Sequence, residues 1–145
     1  MCDWKIHQLD IHNAFLNGVL DEEVCIKQPP GFVDSALSSH VCQLYKSLYG
    51  LKQALRPWYT RLNDFLLSIS FRAFKVDSSL FIFSIGVDIC YLLVYVDDIL
   101  FTGSNSLLLQ HLIQLLSSEF KLRNLGIVHY FFRIEVTPTG MGLML

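Results

Sequence analysis

Apolar and polar residues recur along the chain in patterns that predict short strands and two helices. The alternation from Lys5 to Ile11 is typical of a strand, and Val24 to Lys27 predicts a second one that ends at Pro29-Pro30-Gly31. Apolar residues at spacings of three and four predict an amphipathic helix from Leu55 to Ile69. Pro57 falls in the first turn of this helix, where its missing N–H is tolerated.

The middle of the chain predicts a three-strand meander. Its strands are rich in β-branched, aromatic and aliphatic residues and run from Leu80 to Ser84, from Ile89 to Val96 and from Ile99 to Thr102. Gly86 and the pair Asp97-Asp98 occupy the two turns between them.

A second helix and a last long strand follow the meander. Ser104-Asn105-Ser106 offers capping side chains ahead of a helical apolar pattern from Leu108 to Phe120, and Val128 to Val136 predicts a strand. The order strand, helix, two or three strands, helix, strand is that of a βαββαβ split unit. We therefore predict an α+β fold, a ferredoxin-like antiparallel sheet with helices on one face. No repeat or linker interrupts the pattern, so we expect a single domain over residues 1–145.

The composition favours a packed chain without a membrane span. Apolar residues make up 52% of the chain, which is ample for a core. The longest apolar run, Ile89 to Val96, is far shorter than the roughly 20 residues of a spanning helix. Met1 to Lys5 carries no targeting signal, so we expect an intracellular chain. The cysteines are isolated, which disfavours zinc and disulfides and predicts reduced, mostly buried thiols.

Charge is unevenly distributed along the chain. The formal net charge is -2, which argues against a nucleic-acid binder. Residues 41–75 nevertheless contain six basic residues and one acid, Asp64. Either a phosphate-facing surface or a solvated helix face explains this stretch.

Three carboxylates are candidates for chemistry. Asp10 ends the first predicted strand, and Asp97-Asp98 occupies a tight turn that an Asn-Gly pair would form more easily. If the first strand lies beside the hairpin, the three acids meet at one edge of the sheet. Clustered carboxylates repel unless cations lie between them, and oxygen ligands suit Mg²⁺. Two such ions would support phosphoryl transfer, whereas the alternative is a solvated surface turn.

Several long and compositionally unusual segments identify a family. In order along the chain, this sequence resembles copia-type retrotransposon reverse transcriptases at Gln8 to Leu16, Lys27 to Phe32, Lys46 to Ala54, Trp58-Tyr59, Ser79 to Phe81, Leu93 to Ile99, and Leu125-Gly126. The resemblance implies the palm region of a Pol polyprotein and an RNA-directed DNA polymerase, a nucleotidyltransferase that acts on template-primer and deoxynucleoside triphosphates.

The resemblance also implies roles for the acidic residues. Asp10 and Asp97 would be the principal ligands of two Mg²⁺ ions, for which Mn²⁺ can substitute, with Asp98 the third acid. The carbonyl of Ile11 would be a backbone ligand.

Other residues would contact the nucleotide. Phe15 matches the position at which a bulky ring crowds a ribose 2′-OH, although periodicity alone favours an ordinary core phenylalanine. Tyr49, Gly50 and Lys52 match the motif that lines the incoming nucleotide and template, and Tyr95 belongs to the same group. Lys121, in turn, matches a position proposed to protonate the leaving pyrophosphate, and a surface lysine is the alternative there.

The chain also departs from the family pattern. Arg133 stands where the primer-gripping hairpin has glycine, Leu55 and Pro57 replace the residues that flank Arg56, and Ser70 replaces a glycine. A glycine permits backbone geometry that a Cβ opposes.

The resemblance further implies absent parts. We expect incomplete fingers and no thumb, connection or ribonuclease H region within the 145 residues, so the isolated chain should not polymerise DNA unless it associates with the missing polymerase segments. Family members work in cytoplasmic particles, which implies a cytoplasmic location. Two alternatives stay open: a non-catalytic transposon relic with weak nucleic-acid binding, and another palm-type enzyme such as a nucleotide cyclase, which the copia-like segments disfavour.

Overall fold

A computed structural model describes residues 4–131, 134–139 and 142–144. The chain divides into two compact units. The first, the sheet unit, comprises Met1–Asn13 and Asn63–Leu145. The second, the hairpin unit, comprises Ala14–Leu62.

The strands are short and the two helices are of equal length. In chain order the elements are β1 (His7–Ile11), a 3₁₀ helix (Ala14–Asn17), β2 (Val19–Lys27), β3 (Val41–Lys46), α1 (Leu55–Ser68), β4 (Arg72–Ala73), β5 (Leu80–Ile85), β6 (Asp88–Tyr95), β7 (Asp98–Gly103), α2 (Ser106–Glu119), β8 (Leu122–Ile127), β9 (Tyr130–Phe131), β10 (Ile134–Glu135), β11 (Thr137–Thr139) and β12 (Gly142–Met144).

A six-stranded antiparallel sheet forms the sheet unit. Its strand order is β4-β5-β6-β7-β1-β8, so the first strand of the chain lies between the predicted meander and a late strand. The predicted meander is confirmed as β5, β6 and β7. The fold therefore mixes strands and helices as predicted, and the hairpin unit adds the two-stranded sheet β2-β3.

The end of the chain differs from the prediction. The prediction of a single strand from Val128 to Val136 is wrong, because that region holds the separate short strands β9 and β10. The sheet instead gains β8, which pairs with β1 over Leu122–Ile127. The sequence of β8 has little alternation, so this strand owes its conformation to the hydrogen bonds of its partner strand rather than to its own propensity.

The core of the sheet unit forms from alternate positions of neighbouring strands. Leu9, Leu92, Ile99 and Phe101 are fully buried, as expected where every second side chain of a strand points to the same face. The helix α2 contributes an apolar stripe of Leu109, Leu112 and Leu116. Ring contacts extend this core, with Phe65 against Phe120 at 5.3 Å and Phe71 against Phe101 at 6.3 Å between centroids.

The start of α2 confirms the predicted cap. Asn105 is the N-cap residue, and its side-chain oxygen accepts from the backbone N–H groups of Leu107 at 3.0 Å and Leu108 at 3.2 Å. The same side chain donates to Asp88 at 2.9 Å, which ties the helix start to β6. Such caps stabilise a helix by about 1 kcal/mol.

The end of α1 explains one departure from the family pattern. Phe71 N–H donates to the Leu66 carbonyl at 3.0 Å, and Ser70 N–H donates to that of Leu67 at 3.1 Å. These two bonds define a Schellman motif, in which the residue after the C-cap takes the left-handed conformation and is usually glycine. Ser70 occupies that position with φ 73°.

Candidate active site

The backbones of the three predicted metal-binding acids lie together in the sheet unit. Asp10 of β1 pairs with Asp98 of β7 in the antiparallel register. Ile11 N–H donates to the Asp97 carbonyl at 2.9 Å. Antiparallel pairing of β1 with β7 thus sets the end of the first strand beside the β6-β7 turn, where the sequence analysis expected it.

The turn itself is displaced by one residue from the prediction. Tyr95 pairs with Asp98, so the two turn residues are Val96 and Asp97 rather than Asp97 and Asp98. Two-residue hairpin turns require a positive φ at their first position, and Val96 has φ 57°. A β-branched residue in this region is an outlier that costs of the order of 1–3 kcal/mol and commonly marks a functional site.

The carboxyl group of Asp98 has a pKa above its ordinary value. Burial is the main reason that the pKa of Asp98 is raised, and the negative charges of Asp97 and Asp10 raise it further. A 3.5 Å hydrogen bond from the Gln8 side-chain amide opposes these effects. A carboxylate whose charge is disfavoured by its neighbours gains from a bound cation.

The donor chemistry fits a hard divalent cation, but the side chains do not enclose one. Carboxylate and carbonyl oxygens are the ligands that Mg²⁺ takes in proteins. Across the described residues, no three or more His, Cys, Asp or Glu side chains are grouped so that they could hold a metal ion. The metal site at Asp10, Asp97 and Asp98 therefore stays a prediction.

Two predicted nucleotide-contacting residues meet in the hairpin unit. The rings of Phe15, on the 3₁₀ helix, and Tyr49 pack edge to face with centroids 4.3 Å apart. Tyr49 and Gly50 are the central residues of a turn closed by the Leu51 N–H to Leu48 carbonyl bond of 3.3 Å. Gly50 has φ 92°, the conformation for which such a turn requires glycine.

The other predicted positions are exposed. Lys52 follows the turn with its side chain in solvent, and Tyr95 is 53% exposed at the end of β6. Leu55, the first residue of α1, is 49% exposed, and Pro57 lies in the first turn as predicted. Arg133 lies outside the described residues.

An open cavity beside the end of β1 was not predicted. It has a volume of about 250 Å³, and His12, Lys121, Leu122 and Arg123 line it. His12 N–H donates to the Lys121 carbonyl at 2.9 Å, and Arg123 pairs with Asp10 in the β1-β8 register. Sequence reasoning named Lys121 alone. His12 and Arg123 could have been found only from the pairing of β8 with β1.

The described cysteines correct the expectation of mostly buried thiols. Cys90 is buried, Cys42 is half-buried and Cys25 is exposed, and all three are free. Among the described residues, no helix is both long enough and apolar enough to cross a membrane.

The chain belongs to the reverse transcriptase (RNA-dependent DNA polymerase) family, whose profile matches residues 1–145. The predicted resemblance to copia-type reverse transcriptases is confirmed by its relatives. It is 48% identical over 142 residues, 98% of this chain, to the retrovirus-related Pol polyprotein from transposon RE2 of Arabidopsis thaliana. It is 38% identical over 125 residues, 86% of this chain, to the Pol polyprotein from transposon TNT 1-94 of Nicotiana tabacum.

These relatives are much longer than the chain. It spans 10% of the RE2 polyprotein and 9% of the TNT 1-94 polyprotein. No solved structure matches the chain significantly.

Proposed function

We propose that residues 1–145 form a single palm fragment of a copia-type reverse transcriptase, whose chemistry is two-metal nucleotidyl transfer. The observation that carries this proposal is the register pairing of Asp10 with Asp98, together with the 2.9 Å bond from Ile11 N–H to the Asp97 carbonyl. Asp10 and Asp98 on adjacent strands, with Asp97 in the turn before β7, give a reverse transcriptase family member the donor set that this chemistry needs.

The strand order supports the ferredoxin-like part of the proposal. Within the sheet, β8, β1, β7 and β6 are neighbours in that order, and each pair is antiparallel. In chain order, α1 lies between β1 and β6 and α2 lies between β7 and β8, which supports the proposal of a βαββαβ split unit.

Reverse transcriptases generally use divalent metal ions, and we assign two Mg²⁺ ions, replaceable by Mn²⁺, to the acids at the β6-β7 turn. Asp10 and Asp97 would supply the main ligands, with Asp98 and the Ile11 carbonyl beside them. Bound cations would activate a primer hydroxyl and neutralise charge on the leaving phosphates. The raised pKa of Asp98 supports this assignment, because the protein itself leaves that charge poorly compensated.

We assign the nucleotide to Phe15, Tyr49, Gly50, Lys52 and Tyr95. Phe15 would crowd a ribose 2′-OH, and the exposed Lys52 would attract phosphate. Partners would be an RNA or DNA template-primer and deoxynucleoside triphosphates. Residues 1–145 by themselves would not polymerise DNA, and a cytoplasmic location is proposed with this function.

Metal binding tests the proposal. We expect calorimetry to detect Mg²⁺ or Mn²⁺ binding by the chain and to find none in an Asp97→Asn, Asp98→Asn double variant. The matched control is an Asp21→Asn, Glu22→Gln variant, which removes the same charge from exposed residues of β2 and should bind as the wild type does.

Equal binding by the wild type and the Asp97→Asn, Asp98→Asn variant would refute the assignment. The chain would then be better described as a folded relic, with at most weak nucleic-acid binding through the basic residues of 41–75. Gel-shift titration with a primer-template at two salt concentrations separates that outcome from no binding.

A further inference from the structure

The rings of Phe15 and Tyr49 form an edge-to-face pair inside the hairpin unit. Their centroids lie 4.3 Å apart and their planes meet at 70°. Phe15 is 9% exposed, whereas Tyr49 is 55% exposed. The buried phenylalanine ring is therefore packed against a tyrosine ring that itself faces solvent.

Backbone hydrogen bonds hold the two ring-bearing segments together. Gly18 N–H donates to the Phe15 carbonyl at 2.9 Å, and the Gly18 carbonyl accepts from Ser47 N–H at 2.9 Å. The backbone at Gly18 is packed closely, since a Cβ there would lie 2.7 Å from the backbone nitrogen of Trp58. The segment that leads into the Tyr49 turn is thus anchored to the end of the 3₁₀ helix that carries Phe15.

The turn restricts Tyr49 in the same way. Its next residue, Gly50, has φ 92°, and the Leu51 N–H to Leu48 carbonyl bond closes the turn. With both backbones held, the remaining freedom of Phe15 is rotation of its ring. Contact with the Tyr49 ring opposes that rotation, because aromatic pairs are stabilised beyond the area that they bury.

We infer that Tyr49 is a specificity-determining residue for the sugar of the incoming nucleotide, and that it acts by holding the Phe15 ring in place. The inference rests on the proposed function, in which Phe15 excludes a ribose 2′-OH. A ring discriminates against one hydroxyl only when packing locks its rotamer. The Phe15 ring excludes the 2′-OH, and Tyr49 is the positioning residue that holds this ring.

Equilibrium binding of dATP and ATP in the presence of Mg²⁺ measures this selectivity as a ratio of dissociation constants. We expect Tyr49→Leu to reduce the preference for dATP by roughly 2- to 12-fold, the range that corresponds to loss of one aromatic pair. Tyr49→Phe keeps the ring and should restore the wild-type ratio. Tyr45→Leu removes a tyrosine that is 73% exposed on β3 and should leave the ratio unchanged.

A double-variant cycle shows whether Tyr49 acts through Phe15. In a Phe15→Val background the ring that excludes the 2′-OH is absent. We therefore expect Tyr49→Leu to have no further effect on the ratio of the dATP and ATP dissociation constants. A merely structural role would instead lower the affinity for both nucleotides equally. Should Tyr49→Leu fail to fold by circular dichroism, Tyr49→Met, which is also apolar and lacks a ring, takes its place with the same expected ratio.

Three outcomes would overturn the inference. An unchanged ratio in folded Tyr49→Leu shows that the ring does not govern selectivity. A change that persists in the Phe15→Val background shows that Tyr49 contacts the sugar directly. A wild-type chain that binds neither nucleotide refutes the proposed function itself, and this result is distinct from the first two because no variant is needed to obtain it.

Discussion

Replacing Ser70 by glycine should stabilise the chain. Ser70 holds the left-handed position of the Schellman motif at the end of α1, with φ 73°. Left-handed geometry costs a residue with a Cβ about 1–2 kcal/mol, and glycine avoids this cost. Glycine also loses more backbone entropy on folding, which offsets about 0.5–1 kcal/mol of this stabilisation.

With the middle of each range, the net gain from Ser70→Gly is about 0.75 kcal/mol. For a chain of this length, that gain raises the midpoint of thermal unfolding by about 1–4 °C. Differential scanning calorimetry, with urea unfolding as a second measurement, gives the change in the free energy of unfolding. Ser70 is exposed, so removing its side chain should change the packing of the chain little.

Two control variants make the reasoning refutable. Ser70→Ala keeps the Cβ and the strain, so it should stay within about 0.5 kcal/mol of the wild type. Ser68→Gly places glycine inside the last turn of α1 and should destabilise the chain by about 0.5 kcal/mol, the difference in helix propensity between serine and glycine. If Ser70→Gly were no more stable than Ser70→Ala, the left-handed strain at the end of α1 would not be a real cost to this chain.

Three further predictions concern the sheet unit. The raised pKa of Asp98 means that the contribution of this group to stability falls as pH rises above its ordinary value of 3.8. Metal-free Asp98→Asn should therefore melt higher at pH 7, with the difference vanishing in acid, and equal melting at pH 7 would contradict this. Gly103→Ala places a Cβ 2.7 Å from the Cys90 Sγ and 2.8 Å from the Ile89 carbonyl oxygen. Urea unfolding should therefore show that the free energy of unfolding falls by about 1–3 kcal/mol. Adding Cys90→Ala should restore part of this loss. Burial raises the pKa of Cys90 to about 11. A thiol reagent at pH 7 should therefore modify the exposed Cys25 before Cys90, and faster labelling of Cys90 than of Cys25 would show that β6 opens.

Local sequence determined the elements with strong patterns of their own. The meander of β5 to β7 combines continuous apolar, β-branched runs with turn residues, and α1 and α2 carry apolar stripes at helical spacing. Asn105 could be recognised as a cap because its side chain bonds to backbone groups two and three residues away. The family was also readable, since its motifs are contiguous along the chain.

Tertiary structure decided what depends on residues far apart in the chain. The strand β8 forms only because β1 offers a free edge, and this pairing brings Arg123 opposite Asp10 and creates the cavity with His12. The β6-β7 turn lies one residue earlier in the chain than predicted, because Tyr95 pairs with Asp98 and leaves Val96 and Asp97 to close the hairpin. Sequence reasoning could name the three acids, but strand pairing set their backbones side by side, since a register is fixed by hydrogen bonds between strands and not by either strand alone.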